Sequence, residues 1–236
     1  MKKIGCGLLI VIIVLVLAVS GFFYFKTASA DMNDIKSLQA NRYYVSAENM
    51  PNYAPAAFIA VEDKRFYRHD GIDWKGTGRS IGIALKNQSA SQGGSTITQQ
   101  LAKNLYLSSE KTLSRKISEM MIAKRIENNY SKSEIISAYL TTIYFGNDIY
   151  NIEEAANTYF GTTTDASYTG MPQITVLQSA ILASTINAPS TYHPDQFQID
   201  TALQARTRST LDKMHDQSLI TDAQYNEAIA GIPTTN

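Results

Sequence analysis

The sequence predicts a mainly α-helical domain held behind an N-terminal transmembrane helix. Three observations carry that reading. The chain opens with a long uncharged apolar run, its later apolar stripes follow a helical period behind capping signals, and alternating strand patterns are scarce. No βαβ rhythm appears, so a doubly wound nucleotide-binding sheet is excluded. The 236 residues suit one core plus an anchor.

The anchor comes first. Ile4 to Phe25 carries no charge and is rich in Leu, Ile, Val and Phe, and about 20 such residues cross a bilayer as a helix. A cleaved signal peptide is the competing reading, because Thr27-Ala28-Ser29-Ala30 resembles a cleavage site, although its apolar region is usually about 7–15 residues. Lys2 and Lys3 precede the run and Lys26 follows it, which puts the N-terminus in the cytoplasm and the rest outside. The lone cysteine, Cys6, allows no internal disulfide and reads as an apolar residue of the anchor. Residues 1–26 are thus a short tip and anchor, 27–50 a polar stalk, and 51–236 one globular domain.

Within that domain, Pro55 opens a helix on which Phe58, Glu62 and Phe66 share a face at i, i+4 spacing. Ser131-x-x-Glu134 is a capping box ahead of a stripe through Ile135, Ile136, Tyr139, Leu140, Ile143 and Tyr144, with Gly146 as the stop. Thr175-x-x-Gln178 caps a run through Ile181 and Leu182. Thr221-x-x-Gln224 caps a last helix ending near Gly231. Lysine plus arginine equals aspartate plus glutamate at 21 each, so nothing pulls the chain toward nucleic acid and any basic site is local.

Three segments look costly for a purely structural protein. Glu62-Asp63-Lys64-Arg65-Phe66-Tyr67-Arg68-His69-Asp70-Gly71 packs acids, bases and aromatics around the end of an apolar helix. A carboxylate on the Phe58–Phe66 face is partly desolvated, which suits general-base work; a solvated helix end is the plainer account, and charge alone favours it. Gly93-Gly94-Ser95-Thr96-Ile97-Thr98-Gln99-Gln100-Leu101-Ala102-Lys103 makes a flexible loop entering a helix, whose free N–H groups suit an anion or a sugar. A merely capped helix explains it equally well. Arg115-Lys116-Ile117-Ser118-Glu119 is either a pair of surface salt bridges, worth roughly 0.3–0.5 kcal/mol, or a cationic patch around an acid, suited to a pyrophosphate.

Together these segments resemble glycosyltransferase family 51, the peptidoglycan polymerases. Ala60-x-Glu62-Asp63-x-x-Phe66-x-x-His69-x-Gly71 is similar to the family's first motif, Gly93 through Gln100 to the second, and Arg115-Lys116-x-x-Glu119 to the third. Lys132-x-x-Ile135-Ile136 with Tyr139-Leu140 and Tyr144-Phe145-Gly146 resembles the fourth, and Ala183 through Asn187-Ala188-Pro189-Ser190-x-Tyr192 the fifth. Within the family the chain is most similar to monofunctional members of staphylococcal type, which have one anchor and no penicillin-binding domain. The chain ends at Asn236, which leaves no space for a transpeptidase, and it shows no S-x-x-K nucleophile with its partners. Three positions depart: Ser137 and Thr141 stand where many members carry Glu and Asn, and Lys111 where an arginine often binds phosphate.

The resemblance implies a lysozyme-like fold of two lobes and a set of roles. Glu62 is the general base toward the 4-hydroxyl of N-acetylglucosamine on lipid II. The glycan is transferred from undecaprenyl pyrophosphate with inversion to a β-1,4 link. Glu119 orients cations or a metal on the donor side. Lys103, Lys111, Arg115 and Lys116 screen the pyrophosphate, while Ser95, Thr98, Gln99 and Gln100 hold sugars or phosphates. Asp63, Phe66, His69 and Gly71 support the site. Members often use a divalent cation, Mg2+ or Mn2+, and no ligand set for one is assigned. Lipid II, nascent peptidoglycan, membrane lipid and other cell-wall synthesis proteins are the implied partners, and moenomycin-type phosphoglycolipids the implied inhibitors. Two rivals stay open: a lysozyme-like glycan hydrolase and a non-catalytic cell-wall scaffold.

Overall fold

A computed structural model describes residues 11, 14, 15, 18, 21–23, 25–78, 94–108, 110 and 112–233. Most of the expected anchor, Ile4 to Phe25, therefore lies outside the described residues, and among those described no helix is long and apolar enough to cross a membrane. The described residues form helices α1 (Asn33–Ser37), α2 (Tyr53–Glu62), α3 (Ile97–Tyr106), α4 (Leu113–Asn129), α5 (Lys132–Thr142), α6 (Ile152–Phe160), α7 (Val176–Thr185), α8 (Thr201–Asp216) and α9 (Asp222–Ala230). They contain no strand, only the isolated bridges Tyr144–Tyr150 and Thr163–Gln173.

Local chemistry starts these helices. Thr96, Thr112, Ser131, Asn151, Thr175, Asp200 and Thr221 each accept a backbone N–H at a helix start. At Ser131, Thr175 and Thr221 the expected capping boxes form, and a fourth pairs Thr96 with Gln99. Each cap satisfies donors that the first helical turn leaves without partners.

The helices pack in two groups. One joins α3 to α4 and α5; the other sets α2 and α9 against α7 and α8, with α6 touching both α5 and α7. Helix α2 is the pivot. Ala54 through Ala60 are all buried, so it is apolar all round, as befits a helix enclosed by others. Phe58 meets Phe145 edge to face with ring centroids 6.0 Å apart. At Glu62 the helix emerges from this core where the two groups meet.

Three expectations need correction. Helix α2 stops at Glu62, because Asp63 leaves the helical region at φ −155° and ψ 67°. Phe66 therefore does not continue the Phe58–Glu62 face; it enters the core from a separate 3-10 turn, Phe66–Arg68. Helix α5 ends at Thr142, before Gly146. Gly146 instead adopts φ +89° in the turn bridged by Tyr144 and Tyr150, where a Cβ would stand 2.8 Å from the Pro189 carbonyl. Finally, the polar segment read as a stalk is packed: Ile35, Val45 and Met50 join the core. The Ala47 N–H donates to the Ser137 hydroxyl over 2.8 Å, which gives that departure from the family pattern a packing role.

Tyr139 is fully enclosed, and burial, reinforced by the charges of Glu62 and Asp63, pushes its hydroxyl well above the ordinary pKa of 10.0. Folding thus holds a proton that the unfolded chain releases above that value. The stability it contributes is complete below pH 10 and is lost as pH rises beyond it. Thermal midpoints measured from about pH 8 to about pH 11 are expected to fall along that limb, and Tyr139→Phe is expected to fall less steeply. Parallel curves would refute this.

Candidate active site

Glu62 is half-buried at the end of α2, and both its oxygens are held by side-chain amides. Gln100 Nε2 donates to Oε2 over 2.7 Å, and Asn187 Nδ2 donates to Oε1 over 2.7 Å. Tyr139 donates to the far side of Gln100, at Oε1, over 3.3 Å. The three partners come from α3, from the loop after α7 and from α5. A carboxylate oxygen offers two acceptor positions, so each oxygen keeps one for a substrate. Two cavities meet at this carboxylate. One, of about 460 Å³, runs past Asp63, Ser95, Thr96 and Gln217; the other, of about 300 Å³, runs past Ser184, Asn187 and Arg206; Val61, Glu62 and Lys213 line both.

The next residue fixes this arrangement. The Asp63 carboxylate accepts the Ile97 N–H over 3.0 Å and faces His69 Nε2 at 2.9 Å from each oxygen. His69 Nδ1 accepts the Gly71 N–H over 3.2 Å, so the ring proton belongs at Nε2, where it donates to Asp63. Thr96 donates to the Gly71 carbonyl over 2.7 Å while capping α3. Gly71 sits at φ +87°, and a Cβ there would stand 3.0 Å from the Ala123 carbonyl of α4, so only glycine closes the junction. Lys132 completes it, donating to the His69 carbonyl over 2.8 Å and to Glu127 over 2.6 Å, above the Phe66 ring.

A cationic cluster sits on α4. Glu119 is 2% exposed. One of its oxygens accepts from Arg115 over 2.6 Å and the other from Lys116. Lys116 also donates to Ser95 over 2.7 Å. Since Ser95 lines the larger cavity with Glu62, the cluster connects to the carboxylate through the cleft wall. Burial removes these contacts from the class of surface salt bridges, whose worth is small.

A general-base candidate at the meeting point of two cavities, with a cationic cluster bonded to Ser95 in the wall of one of them, suits transfer between two bound substrates. Comparison with known proteins agrees. A family model described as Transglycosylase matches residues 30–215, most of the chain and every residue of the site.

The chain belongs to the transglycosylase family.

Its similar relatives include monofunctional glycosyltransferases of Staphylococcus haemolyticus, 45% identical over 97% of this chain and 84% of the relative, and of Staphylococcus saprophyticus, 47% identical over 87% and 75%. A third, from Staphylococcus aureus strain Newman, is 43% identical over 89% and 77%. The transglycosylase match begins at residue 30, inside the segment expected to be a stalk, in keeping with its packing.

The structure sorts the expected site residues of this transglycosylase. Glu62 is bonded to Gln100, and Ser95, Lys116, Glu119 and Arg115 form a second bonded group; Glu62 and Ser95 line the same cavity. Asp63, Phe66, His69 and Gly71 support them. Two expected binders turn inward: Gln99 accepts the Thr96 N–H at its side-chain oxygen over 2.9 Å, and Thr98 donates to Glu127 over 2.6 Å, both side chains being buried. Lys103 stands exposed on α3, outside the residues lining either cavity. Lys111 lies outside the described residues. Asn187 and Lys213 were given no role by sequence. Asn187 stands in the fifth motif, which was its signal, whereas Lys213 lies beyond all five. Among the described residues no three metal-binding side chains converge, and each Glu119 oxygen accepts from one cation.

Asp63→Asn keeps the shape but puts an N–H against a donor in a buried network. It is expected to cost about 3 kcal/mol of stability, read as a lower urea midpoint. An unchanged midpoint would remove Asp63 from the centre of the junction.

Proposed function

We propose that this chain, a peptidoglycan glycosyltransferase by family, polymerises glycan strands with Glu62 as general base on the acceptor and the Arg115–Lys116–Glu119 cluster at the leaving group. The single observation that carries this is Glu62 at the junction of two cavities, one of which is also lined by Ser95, the hydrogen-bond partner of Lys116. In this reading the domain is the lysozyme-like, two-lobed kind that the resemblance implies. It works outside the membrane on lipid II and nascent peptidoglycan, behind a single-pass anchor.

The chemistry divides between the two ends. An acceptor 4-hydroxyl gives its proton to the free acceptor position of a Glu62 oxygen. Its oxygen attacks C1 of the donor sugar as the bond to the pyrophosphate breaks, and the anomeric centre inverts. Inversion needs a base on one face and a stabilised leaving group on the other. Gln100 and Asn187 are neutral donors, so they aim the carboxylate without pairing it to a charge. Across the cleft, Arg115 and Lys116 are pre-aimed by Glu119, so little reorganisation is needed as charge develops on the departing phosphate. Tyr139, kept protonated by burial, holds Gln100 in place. A hydrolase has no pyrophosphate to stabilise, so the cluster favours transfer.

Glu62→Gln is expected to lower polymerisation of lipid II by at least about 100-fold with an unchanged melting profile, the span of general-base catalysis. Strands lengthened at the wild-type rate would overturn the assignment, and shortening of preformed glycan would favour the hydrolase. Arg115→Ala is expected to weaken donor use and moenomycin binding together, measured by strand assay and by displacement of a labelled moenomycin. Loss of neither would detach the cluster from the leaving group.

A further inference from the structure

A third cavity, of about 370 Å³, opens beside the catalytic cleft. Asp73 lines both it and the larger cavity that runs past Glu62 and Ser95, so the two are neighbours across one side chain. That carboxylate is fixed: it accepts the Gly76 N–H over 2.9 Å and faces Arg65 Nε at 3.1 Å. Arg65 lines the third cavity with Arg68, Lys75 and Lys124, and only Asp70 and Asp73 oppose them there. The His69 ring, also in this wall, is engaged by Asp63 and Gly71.

The four cations are unequally committed. Lys124 reaches Asp70 over 3.2 Å. Arg65 Nε is buried and lacks an aligned hydrogen bond despite its nearness to Asp73, and neither amino group of its fork has a partner among the described residues. Arg68 and Lys75 are exposed and form no ion pair among the described residues. In the same wall stands Trp74, the chain's only tryptophan, 66% exposed. An indole face takes up a flat apolar surface, and an unpaired arginine fork takes up a carboxylate on two bonds. A sugar ring offers the first through its C–H face, and the peptides carried by a peptidoglycan strand offer the second. A lipid headgroup offers an anion without the ring.

We propose that this cavity is an outer subsite for the nascent strand. One sugar of the lipid-linked glycan lies on Trp74 while carboxylates of its peptide meet Arg65, Arg68 and Lys75. This rests on the proposed function, which puts the growing strand on the Ser95 side of Glu62; the space next to that side, across Asp73, is the third cavity. Its volume stands at the small end of ligand sites, roughly 300–1,000 Å³, and suits one substituted sugar. The subsite touches nothing that reacts. It retains the strand between transfers, because a second hold makes the return of the reacting end an intramolecular event. A donor of one unit occupies the larger cavity alone, so elongation uses the subsite and the first bond does not.

Trp74 reports on its own surroundings. The full chain in nonionic detergent is titrated with soluble, lipid-free strand fragments of several disaccharide-peptide units while indole emission is followed. A blue shift on binding is expected. Binding is expected to be at least about tenfold weaker when Arg68→Ser and Lys75→Ser are combined, and for fragments stripped of their peptides. In the strand assay, Trp74→Ala and the double variant are expected to shorten the product at least about threefold, while joining of the first two lipid II units changes less than about twofold. An indole that ignores the fragments, or that responds equally to phosphatidylglycerol micelles, would overturn the subsite. So would strands of wild-type length from both variants, or equal losses in the first bond and in length. A wild-type chain that binds the fragments yet joins no lipid II would instead overturn the proposed function.

Discussion

The site depends on one carboxylate that takes no part in the chemistry. Asp63 ends α2, caps the first N–H of α3 and faces His69, so it ties the emergence of Glu62 to the start of the helix that carries Gln100. An acid at a helix N-terminus meets both unpaired N–H groups and the positive end of the dipole, a favourable place for a buried charge. The same bonds explain why the chain breaks from helix at residue 63. Had α2 continued, Asp63 would have turned away from Ile97, and the two helix groups would have lost their charged link.

Around that link lies a second buried carboxylate with a different task. Glu119 neutralises one of its two cations, so the cluster carries about one net positive charge. That is modest for a pyrophosphate. What the cluster offers is aimed donors: after the bonds to Glu119 and Ser95, about five N–H groups of Arg115 and Lys116 remain. A buried ion pair gains little stability over apolar packing. Its retention here fits a site that needs donors held in position, and the cost of burying it is borne by the fold.

Much of this was legible in the sequence because it is local. Capping boxes at Ser131, Thr175 and Thr221 are decided within four residues, and they formed as read. At Thr96-x-x-Gln99 the signal is just as local, and the capped helix weighed there against a binding loop is present. What failed is non-local. Phe66 was placed on α2 because i, i+4 spacing cannot see that Asp63 is captured by a helix 34 residues away. Residues 27–50 looked like a stalk because their composition is polar, yet Ile35, Val45 and Met50 reach the core and residues 27–32 are held by their backbone carbonyls, which composition does not record. Lys213 reached the cleft only because α8 packs on α2.

The two ends of the cleft follow opposite electrostatic rules, and the difference bears on mechanism. At Glu62 the donors are neutral amides from Gln100 and Asn187; at Glu119 they are cations. In the proposed mechanism, exchanging the schemes would damage both steps. A cation bonded directly to Glu62 would stabilise the carboxylate against taking a proton, and amides at Glu119 would leave the departing phosphate without charge-assisted donors, which are roughly twice as strong as neutral ones. The junction at Asp63 and Gly71 ties α2 to α3 and α4, the helices that carry these two environments.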